Sequence, residues 1–187
     1  KPLQCGSSIL APKRGKVKDF FFDSYLFLPC MGNGPSGARM HYDPANPTLA
    51  IDWTTYVEDT FVSGYNVDAL ESAFGTVKKE LNDTETKAGV FFTILYPSKK
   101  ATSFGTLGGR SLDFSKTADR KYAIKWMIDE QMKLFNEKGY KNLDLVGFYW
   151  LEEAIMEEGD EELFLYASEY LHSLGLKFIW IPWFMSN

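Results

Sequence analysis

Soft metal ligands are scarce in this 187-residue chain: it has two cysteines and two histidines. Cys5 and Cys30 are too few for a structural zinc site. They are read either as two unpaired thiols or as one bridge tying down the N-terminal arm. His41 and His172 exclude a histidine cluster, which leaves His41 with Asp43 as a two-ligand candidate, so the expectation is no metal and no cofactor. Positive charge is also short, 20 Lys and Arg against 25 Asp and Glu for a net of −5. Without a basic field to collect phosphates, nucleic acid is not an expected partner. Long apolar runs are absent. The stretches from Tyr25 to Pro29 and from Phe178 to Phe184 are too short to span a bilayer, and Lys1 to Ser8 has no signal-peptide core. No G-x-S-x-G elbow occurs. Gly32-Asn-Gly-Pro-Ser-Gly37 spells G-x-G-x-x-G, but Pro35 interrupts it and no helix opens within it, so it is read as a loop and not as a phosphate cradle.

Aromatic residues are what the chain has in quantity: 15 Phe, 10 Tyr and 5 Trp. A folded chain of 21.3 kDa exposes roughly 9,000 Å² where the unfolded chain exposes roughly 31,000 Å², so a core forms without staples. Abundant rings with few cations favour a neutral ligand that stacks on aromatic faces.

Four apolar runs, Val17 to Leu28, Ala88 to Tyr96, Leu143 to Trp150 and Lys177 to Trp183, predict strands buried on both faces. Between them, helical spacing predicts helices from Asn66 to Leu81, from Ser115 or Thr117 to Gly139, and from Asp160 to Leu174. The first helix is expected no earlier than Asn66. The result is an α/β chain, a parallel βαβαβαβ sheet behind an arm of residues 1–16, in strand order 1-2-3-4. Links from strand to helix are long and links from helix to strand short, which places function at the strand exits. The sequence ends just after the fourth strand, so the expected fold is the N-terminal half of a (β/α)8 TIM-type barrel, with an open flavodoxin-like sheet as the alternative.

The third strand leaves the sheet through Phe148-Tyr-Trp-Leu-Glu-Glu153. Alternation puts Trp150 and Glu152 on one face and Tyr149 and Glu153 on the other. A carboxyl beside an indole has its pKa raised and holds a proton to donate. Glu152, then Glu153, are therefore the candidate catalytic acids, with Asp23 as a candidate partner, since glycoside hydrolysis normally needs two carboxylates. Asp43, Asp52, Glu58 and Asp59 on the first long loop are weaker candidates. Trp150, Tyr25, Trp53, Tyr96 and Trp183 are the expected stacking platforms, and Arg110 is an expected ligand for hydroxyls or for an acidic sugar.

Several phrases carry a family likeness. They are Asn66-Val-Asp-Ala-Leu-Glu, Asp119-Arg-Lys-Tyr-Ala-Ile-Lys-Trp-Met-Ile-Asp-Glu, Asn142-Leu-Asp-Leu-Val-Gly-Phe-Tyr-Trp-Leu-Glu-Glu-Ala-Ile and His172-Ser-Leu-Gly-Leu-Lys-Phe-Ile-Trp-Ile-Pro-Trp-Phe. Together they resemble a bacterial family of unknown function, number 4855, most specifically in Gly-Phe-Tyr-Trp-Leu. The resemblance implies a glycosidase-like barrel on an exported protein, periplasmic, surface-bound or secreted, with its signal peptide absent from this chain. Joined to the residues, it gives the functional expectation of a carbohydrate-active hydrolase, with a non-catalytic glycan-binding barrel module as the alternative. The expected partners are a carbohydrate ligand and, for the open sheet edges, a second copy or a complementary barrel half.

Overall fold

A computed structural model describes residues 17–29, 32–40 and 42–183. Cys5, Cys30 and His41, with the expectations placed on them, lie outside the described residues. In chain order the elements are β1 (Ser24–Phe27), α1 (Ala50–Thr60), α2 (Asn66–Leu81), β2 (Ala88–Ile94), β3 (Gly105–Leu107), β4 (Arg110–Leu112), α3 (Thr117–Lys138), β5 (Leu143–Trp150), α4 (Asp160–Ser173) and β6 (Lys177–Ile179).

The fold is α/β, with β1, β2, β5 and β6 in one parallel sheet in that order and a separate antiparallel β3–β4 hairpin. Neighbours in the sheet are neighbours in the chain. A flavodoxin-like order, with β2 placed outside β1, is not the one formed. Right-handed crossovers between consecutive strands put the connecting helices on one face, and the packing agrees. Alternate residues Val90, Phe92 and Ile94 of β2 and Phe148 and Trp150 of β5 share one core with Leu70 and Phe74 of α2, Ile124 and Ile128 of α3, and Leu163 and Ala167 of α4. A second cluster joins α1 and the hairpin to Leu95, Tyr149 and Leu151 at the strand exits.

Gly147 has a steric reason to be glycine. A Cβ there would lie 2.1 Å from the Lys177 carbonyl oxygen, so the Gly-Phe-Tyr-Trp phrase lets β6 close against β5. Gly139 ends α3 in the left-handed conformation, as its position after the apolar stripe predicts.

Four expectations change. The first strand shrinks from Val17–Leu28 to Ser24–Phe27, because β2, its one neighbour among the described residues, begins at Ala88. The Gly89 N–H bonds the Asp23 carbonyl, and among the described residues no strand pairs with the chain before it. The fourth ends at Ile179, not Trp183. Pro182 has no N–H to give, and the Trp183 N–H leaves the ladder for the Glu153 carbonyl. A helix, α1, forms ahead of Asn66. It is held by Asp52, whose carboxylate takes the Leu49 N–H at 2.7 Å and both the N–H and hydroxyl of Ser36 at 2.9 and 2.6 Å. The hairpin was also unforeseen, although Gly108-Gly109, both at positive φ, is a two-residue turn signal between short strands.

The Gly32–Gly37 loop thus does cradle an anion, but the anion is Asp52. Gly34 packs so close that a Cβ would sit 2.3 Å from the Asp52 carboxylate. Among the described residues no helix is long and apolar enough to cross a membrane.

Candidate functional site

The β2–β5 ladder closes with the Leu151 N–H on the Ile94 carbonyl, and Glu152 and Glu153 come next. Hydrogen bonds from the β6 exit to their backbone carbonyls hold both. The Trp180 indole N–H donates to the Glu152 carbonyl at 2.8 Å, and the Trp183 N–H to the Glu153 carbonyl at 2.8 Å. The Tyr149 hydroxyl reaches the Glu153 carboxylate at 3.4 Å. From the long first loop, the Tyr42 backbone lies beside the Glu152 carboxyl and favours its charged form, and the Tyr42 ring meets Tyr96 edge-on at 5.2 Å.

Burial pushes the Glu152 carboxyl up to about 7 against the opposing pull of the Tyr42 backbone, and the charges of Asp160 and Glu153 push the same way as burial. A carboxyl of that kind is divided between acid and base near neutral pH, the condition that general acid–base chemistry uses. Burial, with the charges of Glu153 and Glu152 behind it, raises the Tyr149 phenol to about 12, so it stays a proton donor. Tyr96 is held far above the usual phenol range by burial and then by Asp160.

Below Glu152 the loop to α4 is stitched to the β2 exit. Asp160 takes the Tyr96 hydroxyl at 2.7 Å and the N–H groups of Met156 and Glu157 at 3.0 and 2.8 Å. Its other oxygen faces Arg120 of α3 at 3.3 Å, with both side chains 3% exposed or less. Glu157 accepts from Ser98 and from the Lys99 N–H. Gly159 lies so close to the guanidinium that a Cβ would meet it at 2.9 Å.

The structure brings only some of the expected residues together. Glu152, Glu153, Tyr96 and Trp183 share the strand-exit end. Asp23 does not. It precedes β1 at the level of Gly89, which pairs with Asp144. Eight positions, most of them in β5, separate Asp144 from Glu152, about 20 Å or more, so Asp23 is out of range as a partner acid. Tyr25 sits in the lower half of β1, opposite Val90, and not at an exit.

Trp150 and Trp53 are 2% and 0% exposed and have no open face to offer. Trp150 packs on Phe164 and Phe178, and Trp53 on Phe104 and Phe114. Both are core rings. Arg110 pairs with Asp119 at 2.5 Å and lies over Tyr122, fastening the hairpin to α3. Asp52 is a cap, and Asp43 closes a turn through the N–H groups of Ala45 and Asn46.

Sequence reasoning missed Tyr42, Asp160 and Arg120. Tyr42 lies in an irregular loop with no signal. Asp160 reads as an ordinary first-turn acid, and Arg120 as an ordinary helix-surface cation. Also at this end, a concavity opens beside the β1 exit, lined by residues that include Phe27, Pro29, Pro35, Met40, Asp59 and Asn66. Among the described residues no group of three or more His, Cys, Asp or Glu is placed to hold a metal ion.

No curated protein and no solved structure matches the chain. A family model does, over residues 8–187, and its description is Domain of unknown function (DUF4855). The span takes in the Gly-Phe-Tyr-Trp-Leu-Glu-Glu phrase that delivers the exit acids, and the chain belongs to that family.

Proposed function

We propose that the chain forms four consecutive strands of a (β/α)8-type barrel wall and carries the acid/base residue of a carbohydrate-active hydrolase, Glu152, at their exits. The observation that carries this reading is the setting of Glu152. It lies two residues past the end of a parallel strand, it is half-buried, and burial pushes its carboxyl up to about 7. In glycoside hydrolysis the protonated carboxyl donates to the leaving oxygen, and the carboxylate then activates water. Glu153 is the candidate second carboxylate, because Asp160 and Glu157 are committed to Arg120, Tyr96, Ser98 and Lys99. The outer edges of β1 and β6 are unpaired among the described residues, and we assign further barrel strands or a second chain to them. We assign the protein to an exported location, as the family resemblance implies.

One observation favours a non-catalytic glycan-binding module: with Asp23 out of reach, the second carboxylate rests on Glu153 alone. A glycan-library assay separates the two. Glu152→Gln lowers turnover by about two or more orders of magnitude if Glu152 is the acid/base, while binding survives because the amide keeps the shape. Full turnover by Glu152→Gln moves the role to Glu153. Full turnover by both Glu152→Gln and Glu153→Gln excludes catalysis by this pair. Glycan binding without turnover in the parent protein supports the module.

A further inference from the structure

The concavity beside β1 and the Glu152 carboxylate are joined by one short piece of chain. Met40 lines the concavity. Tyr42, two residues on, sets its ring edge-on against Tyr96 just past β2 at 5.2 Å, with its backbone beside the Glu152 carboxyl. Two residues span at most about 7 Å. The topology agrees, because only β2 separates β1 from β5, and two strand spacings are about 10 Å. The two features are therefore a few sugar rings apart at the same end of the sheet.

The lining has the character that a pyranose ring requires. Phe27, Pro29, Pro35 and Met40 supply apolar faces for its C–H surface, and Asp59 and Asn66 supply directional partners for its hydroxyls. Asn66 is anchored. Its side-chain N–H bonds the Asp59 carbonyl at 2.7 Å, and its backbone is held at a positive φ of 43°. The wall behind is rigid too. The Tyr56 hydroxyl donates to the Phe27 carbonyl at 3.1 Å, and the Thr93 hydroxyl to the same oxygen at 2.6 Å. A preformed mixed wall of this kind costs little to order on binding.

We infer that the β1-exit concavity is a distal sugar subsite, which binds a neutral pyranose of the same oligosaccharide whose reacting bond lies at Glu152. The inference rests on the carbohydrate reading of Glu152 and extends it. It makes the substrate an oligomer several units long that runs from the β5 exit across β2 to the β1 exit, and not a disaccharide.

The test is NMR of the 13C-methyl-Met and 15N-labelled chain titrated with neutral hexasaccharides of glucose, xylose, mannose and N-acetylglucosamine, and with the matching disaccharides. The expected result is that one hexasaccharide shifts both the Met40 methyl and the Tyr42 amide. Asp59→Ala then weakens that hexasaccharide about tenfold and leaves the disaccharide unchanged. Leu28→Ala, at a half-exposed position on the same wall, gives a second and fold-neutral reading in the same direction. A hexasaccharide that moves Tyr42 but leaves Met40 still, and binds both variants as it binds the parent, overturns the subsite and leaves the Glu152 reading standing. A sugar that moves Met40 but not Tyr42 overturns the link between them. If no sugar in the panel moves either signal, the carbohydrate reading fails and the subsite fails with it.

Discussion

The two ends of β5 treat a carboxylate in opposite ways. At the foot, Asp68 of α2 faces the segment leading into the strand. Burial pushes its carboxyl up, but the Tyr140 hydroxyl at 2.5 Å, the Gly64 N–H and Lys138 outweigh burial and hold it below the usual range. At the exit, the backbone of Tyr42 and of Glu153 offsets only part of the burial of Glu152, the acid neighbours Asp160 and Glu153 add to it, and burial wins. Desolvation acts at both ends, and the supply of donors decides the sign. The foot is built for stability: Glu71 likewise takes the Lys141 and Asn142 N–H groups, and Lys87 meets Asp144. The exit keeps a carboxyl short of donors, an arrangement that costs stability and that active sites retain.

The largest effect that sharpens this contrast is expected beneath the exit. Arg120→Met leaves Asp160 buried without its cation and should cost about 3–5 kcal/mol, the scale for breaking a buried pair. Arg120→Met/Asp160→Asn, which removes both charges, should recover part of that loss in urea unfolding. If the double variant is no better than the single one, the pair is not what holds the loop under Glu152.

Much of this contrast is legible in the sequence, and the rest is not for physical reasons. β5 and α3 are fixed by local pattern: a run apolar on both faces, and a stripe that ends at a left-handed glycine. The exit acids follow from the end of a strand, which periodicity locates well. Short β1 and β6 fail because strand length depends on the partner's reach and not on a strand's own residues. α1 depends on Asp52 meeting Ser36 sixteen residues away, a contact that no window of sequence contains. The same holds for Arg120 and Asp160, forty residues apart. Trp53 and Trp150 look like ligand platforms only while their neighbours are unknown.

The foot supplies the middle-sized prediction. Asp68→Ala removes an acceptor serving Tyr140, Gly64 and Lys138, and should cost about 1.5 kcal/mol at neutral pH. Because the folded carboxyl titrates below its unfolded value, that contribution is present above the unfolded value and is lost as pH falls through the folded one. The parent and Asp68→Ala proteins should therefore converge in stability toward acid pH. A gap that stays constant down to pH 2 would mean that the aspartate acts by packing and not by charge.

The smallest expected effect has the opposite sign and lies at the exit. Glu152 titrates near 7 in the folded chain against 4.5 as its ordinary value, so between those two pH values the folded state holds more proton than the unfolded state. Stability must then fall as pH rises through that window. The side chain is partly exposed, so solvent screening reduces the effect to on the order of 1 kcal/mol. Glu152→Gln cannot ionise. It should match the parent protein at pH 4 and exceed it in thermal stability at pH 8, with the difference opening between about 4.5 and 7. A carboxyl that destabilises its own fold once ionised is the behaviour expected of a group kept short of donors. Equal stability of the two proteins across the window would make Glu152 a solvated loop glutamate, like the exposed Glu158 nearby, and would remove the contrast between the two ends of β5.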